Sequence, residues 1–368
     1  MVLDSEDRWR CVRAVELAYP RCEVQEFREQ GQCSYTLLVS HSNNIPRTSD
    51  SPERHELDST SKGRDPASTI VQIRPAQHAL NLHIAQAARE IYPSLAPATR
   101  MLDLELPEEL REYEMERMPG TPLARLSPKT AVLEPGFEGK HERLIASFAA
   151  FTAHGWHSSS KSHLQGRRVR ADSPMEDKPG MLSQCTGRVG SSIISRLAKL
   201  REELPDECLR RIASTTLERV KTMDNYPVTL NHGDLIPSNI LVDEDTWEIT
   251  GIVDWTEAEY LPFGTCLYGL ENLLGYITTA SPGTSSHRAA PTFTYYDNAP
   301  RLKEMFWSQF FKAMPEAESR LEDVRAMRDM GVLLWYGYAW DDGKIDRVVN
   351  ETDDAVEVAC LRAFLRVA

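Results

Sequence analysis

Residues Leu230–Asp243 read LNHGDLIPSNILVD. A His, an Asp and an Asn crowd together between an apolar run ending at Leu230 and another beginning at Ile240. A surface loop before a strand would account for the pattern. So would a loop that holds Asp234 and Asn239 for chemistry on a phosphate. The residues that follow bear on the choice. Ile240 to Asp243 reads as a strand, Glu244-Asp245-Thr246 as a turn, and Trp247 to Asp254 as a returning strand. An antiparallel return sets Asp254 beside Asn239. Asp234, Asn239 and Asp254 then converge at one end of a single hairpin. Two carboxylates and an amide oxygen suit a hard divalent cation such as Mg2+ with a base beside it.

Upstream of this hairpin the chain changes character twice. Val24 to Arg28 and Tyr35 to Val39 read as strands around the small loop REQGQCSY. The stretch from His41 to Ser68 is rich in Ser, Asp, Pro and Arg and poor in large apolar residues. Such a segment buries too little surface to offset its ordering entropy, so a mobile insertion is expected there. Thr69 to Arg74 reads as a third strand, stopped by Pro75, and His78 to Tyr92 as a helix with Leu80, Ile84, Ala87, Ala88 and Ile91 at helical spacing. Ala98 to Leu106 and Tyr113 to Met118 are further strand candidates, and Pro119-Gly120 breaks the chain. Residues 1–118 are therefore expected to form a strand-rich lobe, and residues 119–368 a mainly helical one.

In the second part, Glu138 to His157, Val189 to Leu204, Asp206 to Met223, Leu267 to Thr278, Arg301 to Lys312, Leu321 to Ala339 and Asp353 to Arg366 carry helical patterning. Arg167 to Pro179 reads as a loop. The chain has 368 residues with 41% apolar composition, enough for a sizeable core. The formal charge of -13 argues against a nucleic-acid partner, which would need basic residues to neutralise phosphates. It tilts weakly towards a cationic or polyhydroxylated ligand. Seven scattered cysteines with no C-x-x-C pair suit a reducing compartment and lack zinc spacing. No apolar run approaches bilayer-spanning length, and the first residues have no apolar core of signal-peptide length. A cytoplasmic protein with no membrane partner is expected.

Asp234 and Asn239 form D-x-x-x-x-N after His232, close to the H-R-D-x-x-x-x-N of protein kinases, where the Asp is the base and the Asn binds Mg2+. With NHGDLIPSNILVD, then GIVDW, then ERMPG at the lobe boundary, the chain resembles the aminoglycoside phosphotransferase and choline kinase-like family, in its divergent fungal branch. The resemblance runs from about Cys22 to the C-terminus, with residues 41–68 as an insertion. It implies a bilobal, α+β protein kinase-like fold, with ATP bound between the lobes, Mg2+, and a small-molecule hydroxyl acceptor.

Carried over by position, the resemblance makes Asp234 the catalytic base and Asn239 and Asp254 the Mg2+ ligands, with His232 bracing the loop from inside. Arg74 stands where the family places a basic residue for the α- and β-phosphates, usually Lys; Arg can grip a phosphate in bidentate fashion. Gly31, Cys33 and Ser34 fall in the nucleotide-covering turn. Glu116 to Met118 would be the hinge whose backbone reads adenine. The pattern also departs from the family and from protein kinases. The covering loop has one Gly rather than three, and Glu90 is the only acid on the helix after Arg74. Position 233 is Gly where protein kinases carry Arg, and no A-P-E segment follows Asp254. The missing peptide-docking segment favours a small acceptor. A non-catalytic pseudokinase with a nucleotide-binding or scaffold role is the alternative reading, and a protein kinase the next.

Four further features have competing readings. His154 and His157 form a pair too small for a metal site and are expected to pack at a helix end. Trp335, Tyr336, Tyr338 and Trp340 are expected in the core rather than against a substrate. In the family, acids on C-terminal helices and after the metal Asp bind cationic amines. That role is open for Asp341 and Asp342, and for Glu257 and Glu259, against a solvated acidic face.

Overall fold

Tyr35, Leu37 and Val39 alternate along one strand, and Val71 and Ile73 along the next. Period-two spacing puts each set on one face of a sheet, and all five are buried. The computed structural model describes residues 5–28, 30, 31, 33–41, 68–167, 180–278 and 290–367, the side chains of 158–167 and 342 excepted. Most of the expected insertion, and the loop expected after Arg167, lie outside these residues. The chain divides into two units, Met1–Arg89 with Ala96–Met118, and Glu90–Leu95 with Pro119–Ala368.

The first unit is built on an antiparallel five-stranded sheet. Its strands are β1 (Cys22–Glu26), β2 (Tyr35–His41), β3 (Thr69–Pro75), β4 (Thr99–Met101) and β5 (Leu110–Glu116), in the order β1-β2-β3-β5-β4. A helix not anticipated from the sequence, α1 (Ser5–Ala18), sets Cys11 and Val15 into the cluster formed by the buried β2 and β3 residues. Only those two of its fourteen residues are buried, so its apolar stripe is too thin to read as a pattern. The strand expected over Ala98–Leu106 shortens to β4. Leu102, Leu104 and Leu106 pack on the cluster as irregular chain instead. The helix α2 (Leu82–Ile91) runs out of this unit at Arg89.

Among the described residues, the second unit is mainly helical, with three small sheets. β6 (Thr121–Pro122), just ahead of α3 (Leu123–Leu126), pairs with the hairpin β8 (Ile240–Val242) and β9 (Ile249–Ile252). β7 (Val228–Asn231) pairs with β10 (Glu259–Pro262), and β11 (Gly275–Thr278) with β12 (Thr292–Tyr295). The helices are α4 (Phe137–Arg167), α5 (Gly187–Gly190), α6 (Ile193–Glu203), α7 (Glu207–Thr222), α8 (Tyr268–Leu273), α9 (Ala299–Ala313), α10 (Pro315–Glu318), α11 (Leu321–Tyr336) and α12 (Ala355–Leu365). Phe148 of α4 and Phe306 of α9 meet with ring centroids 5.9 Å apart, and Phe310 continues the stack.

One expected helix is corrected. Leu267–Thr278 is helical only to Leu273, and Gly275–Thr278 is a strand. Gly275 has Thr294 and Phe293 so close that a Cβ would lie 2.4 Å from the Thr294 carbonyl oxygen. The partner strand, distant in sequence, overrides the apolar continuity of Leu273-Leu274-Gly275-Tyr276-Ile277. Among the described residues, no helix is long and apolar enough to cross a membrane.

Candidate active site

The hairpin register sets Ile240 opposite Ile252. One step further, the Val253 N–H donates to the Asn239 carbonyl at 3.0 Å. Asp254 therefore leaves β9 beside Asn239. Its backbone is left-handed, with φ 61° and ψ 61°. That region is sparsely used outside glycine, though Asp tolerates it better than most, and such strain collects at functional sites. Thr256 Oγ1 donates to Asp254 Oδ1 at 2.6 Å and fixes the carboxylate.

His232 links the two halves of the loop. Its Nε2–H donates to the Val253 carbonyl at 2.9 Å, which leaves Nδ1 to accept the Asp234 N–H at 3.2 Å. Burial holds this imidazole neutral, well below its usual titration range, as that pair of bonds requires. Its ring packs edge-on to Trp255, centroids 4.7 Å apart. Position 233 must be glycine: φ is +81°, and a Cβ there would lie 2.0 Å from the Glu257 carbonyl oxygen.

Asp234 Oδ2 accepts from Asn239 Nδ2 at 2.8 Å. Oδ1 is buried with no hydrogen-bond partner among the described residues. Burial first, and the neighbouring Asp254 charge second, push the Asp234 carboxyl up to about 7. Leu235 is pinned from below, its N–H donating to the Tyr268 hydroxyl at 3.0 Å. Burial keeps that phenol protonated, its pKa far above the usual value. Asn239 Nδ2 is spent on Asp234, and its Oδ1 accepts nothing among the described residues. No group of three His, Cys, Asp or Glu side chains gathers as a metal cage among these residues. Mg2+, however, is commonly held by one or two protein oxygens, the rest coming from water and phosphates. Asn239 Oδ1 and the Asp254 carboxylate fit that donor set.

Beside this loop lies a cavity of about 210 Å³. Gly233, next to Asp234, forms part of its wall. Tyr268, Trp335, Tyr336, Tyr338 and Trp340 supply its aromatic lining. The expectation that the last four belong to the core is corrected in part: Tyr336 and Tyr338 are buried, yet all four border the cavity. A cavity wall and a core carry the same sequence pattern, because both demand apolar bulk.

Glu257, Glu259 and Glu357 add acid to this wall, and Arg188 and Arg196 add base. The Glu259 carboxylate accepts from the backbone N–H groups of Arg188, Val189 and Gly190 at 2.6–3.1 Å. Glu357 sits in the first turn of α12, where a sequence pattern shows only a polar helix face. The cavity lining leaves out Asp341, whose carboxylate is gripped by Arg347 through two bonds of 2.9 Å. The Asp342 side chain lies outside the described residues. Of the expected His pair, His154 rests against Tyr92 at 5.6 Å.

The remaining expected site residues lie in the first unit. Arg74 is buried at the end of β3, its Nε donating to Gln72 Oε1 at 3.0 Å. Ser34 is buried beside Gly31, with its Oγ 3.5 Å from Thr36 Oγ1, and Cys33 is half-buried. The Glu116 carboxylate is paired with Arg89 at 2.8 Å, and Met118 is buried.

The profile of the phosphotransferase enzyme family matches residues 58–265. Similar solved structures include a thermostable mutant of aminoglycoside phosphotransferase APH(4)-Ia in ternary complex with AMP-PNP and hygromycin B. It is 15% identical, covers 97% of each chain and has a TM-score of 0.48. Macrolide 2'-phosphotransferase type I is 12% identical over 98% of each chain, TM-score 0.48. Aminoglycoside phosphotransferase APH(3'')-Id from Streptomyces rimosus is 12% identical over 88% of this chain and 98% of its own, TM-score 0.44. No curated protein matches this sequence.

Proposed function

The chain belongs to the phosphotransferase enzyme family and is an enzyme of the small-molecule kinase type, and from that premise we propose a specific reaction. The γ-phosphoryl group of ATP passes to a hydroxyl of a small, amine-bearing molecule held in the cavity beside Gly233. The observation that carries this reading is the state of Asp234. One of its carboxylate oxygens is fixed by Asn239, and the other is buried without a partner among the described residues. A carboxyl pushed up to about 7 is matched to taking a proton near neutral pH.

Asp234 Oδ1 accepts the proton of the acceptor hydroxyl and aims that oxygen at the phosphorus. Asn239 keeps Oδ2 occupied, so Oδ1 is the oxygen left for the acceptor. Asn239 Oδ1 and Asp254 would hold Mg2+, which supplies charge neutralisation on the triphosphate when bound. Arg74 and the turn at Gly31, Cys33 and Ser34 serve the nucleotide phosphates, and the Glu116–Met118 backbone serves adenine. The aromatic wall with Glu257 and Glu357 supports a cationic amine on the acceptor, through cation–π and ionic contact. Catalysis is then positioning and charge compensation, because phosphoryl transfer asks for little covalent help.

The test is ATP consumption with a panel of aminoglycosides, amino alcohols, sugars and hydroxylated metabolites, with Asp234→Asn as control. Acceptor-dependent turnover that the control loses supports the reading. Mg-ATP binding without turnover across the panel would favour a pseudokinase.

A further inference from the structure

Arg196 stands in α6 with 9% of its surface exposed. Three contacts fix it. Nε donates to Ser192 Oγ at 3.0 Å, and Nη1 donates to the Ile345 carbonyl at 3.0 Å. The guanidinium lies 4.7 Å from the centre of the Tyr338 ring, whose hydroxyl donates back to the Arg196 carbonyl at 2.9 Å. None of these partners is an anion. Among the described residues, no carboxylate lies within 4.0 Å of the guanidinium, and Nη2 has no hydrogen-bond partner. A guanidinium buried to this degree ordinarily has a counter-charge, because an isolated charge out of water is costly. Arg196 instead borders the cavity.

The residue that holds Nη1 is itself unusual. Ile345 has φ +49°, a conformation that β-branched residues rarely adopt, and it also lines the cavity. The rest of the lining is asymmetric in charge. Glu259 is engaged by three backbone N–H groups, and Arg188 is drawn outward to Asp346 at 3.3 Å. Glu357 has no cationic partner among the described residues. Among the described residues, one cavity thus holds a cation without an anion and a carboxylate without a cation.

We propose that the acceptor carries a carboxylate besides its hydroxyl and amine, and that Arg196 binds this carboxylate. The substrate class is then a small hydroxylated zwitterion rather than a simple amino alcohol or a polyamine. A guanidinium is suited to this work: it stays charged and presents paired donors that match a carboxylate. The inference rests on the cavity being the acceptor site.

Matched probes test it: serine against serinamide, and glycerate against glycerol, with glycerol 3-phosphate as a second oxyanion. Each is measured by ATP consumption and, separately, by thermal stabilisation of the protein, on wild type, Arg196→Gln and Arg196→Lys. The expected result is a preference for serine over serinamide of about 10–100-fold in kcat/KM, expressed mainly in KM, as for a hydrogen bond to a charged group. Arg196→Gln should bring the ratio close to one, and Arg196→Lys should restore part of it. A purely structural role for Arg196 would lower the melting temperature and leave the ratio unchanged. That result would overturn the proposal, as would a wild type indifferent to the carboxylate or unresponsive to every carboxylate probe. Preference for glycerol 3-phosphate over glycerate would overturn the assignment to a carboxylate. If Arg196→Gln does not fold, the wild-type ratios decide. Stabilisation by serine without ATP consumption would sink the phosphotransfer reading and leave carboxylate recognition standing. Turnover of carboxylate-free acceptors alone would do the reverse.

Discussion

Asn239 Nδ2 donates to two oxygens of one residue, the Asp234 carbonyl at 2.9 Å and Asp234 Oδ2 at 2.8 Å. This clamp closes the loop from Asp234 to Asn239 and decides which Asp234 oxygen stays unengaged. Asn239→Ala should lower turnover by roughly 10²-fold or more, because a misplaced base loses the gain of positioning. Single-turnover rates with saturating Mg-ATP and acceptor would check it. Wild-type rates in Asn239→Ala would end the idea that the clamp sets the base.

Asp234 gives a signed dependence on pH. Its folded pKa, about 7, lies above the value of an unfolded carboxyl. The stability it contributes is fully present below the unfolded pKa and is lost as pH rises through about 7. Activity runs the other way, since the base must be ionised: kcat/KM should climb with pH and level off above about 7. Asp234→Asn should lose ~10²–10⁴-fold in turnover. It should also gain stability at alkaline pH by up to roughly 4 kcal/mol, the free-energy equivalent of the raised pKa. Urea melts of both proteins between pH 5 and 9 would read this out. Parallel curves would show that Asp234 ionises at an ordinary value.

Gly233→Ala should be harmful on two counts, the positive φ and the 2.0 Å approach to the Glu257 carbonyl. A loss of about 1–3 kcal/mol is expected, with activity falling further because the loop carries Asp234. Gly136 is a matched control: φ is +99°, yet a Cβ there meets nothing within 4 Å. Calorimetric melting of Gly233→Ala and Gly136→Ala should show the larger drop for the first. Equal drops would mean that backbone conformation alone sets the cost.

Glu271 is buried on α8 and is shared by Lys303, at 2.7 Å, by Arg328 and by the Tyr295 hydroxyl, at 2.7 Å. The same helix begins at Tyr268, which holds the Leu235 N–H. Glu271→Gln leaves Lys303 without its carboxylate and Arg328 with Asp329 alone, at 2.5 Å, and should cost about 3–5 kcal/mol. Chemical denaturation is the direct measure; a cost under about 1 kcal/mol would show that the network is screened by water.

The sequence alone was enough for the hairpin and its polar end. Spacing of Asp234, Asn239 and Asp254, apolar strands on either side, and a turn of three polar residues are all local, and local pairing leaves little freedom in register. The buried alternation of Tyr35, Leu37 and Val39 was legible for the same reason. Tertiary structure decided what depends on residues far apart in the chain. Gly275–Thr278 became a strand because Thr292–Tyr295 lay beside it. Trp335, Tyr336, Tyr338 and Trp340 became a cavity wall because the helices around them leave a space. Arg196, from one helix, came to rest on Tyr338 and Ile345, some 150 positions later, and Asp341 went to Arg347 rather than to that space. Periodicity records that a side chain is turned inward, but only packing decides whether it meets another side chain or a void shaped for a ligand.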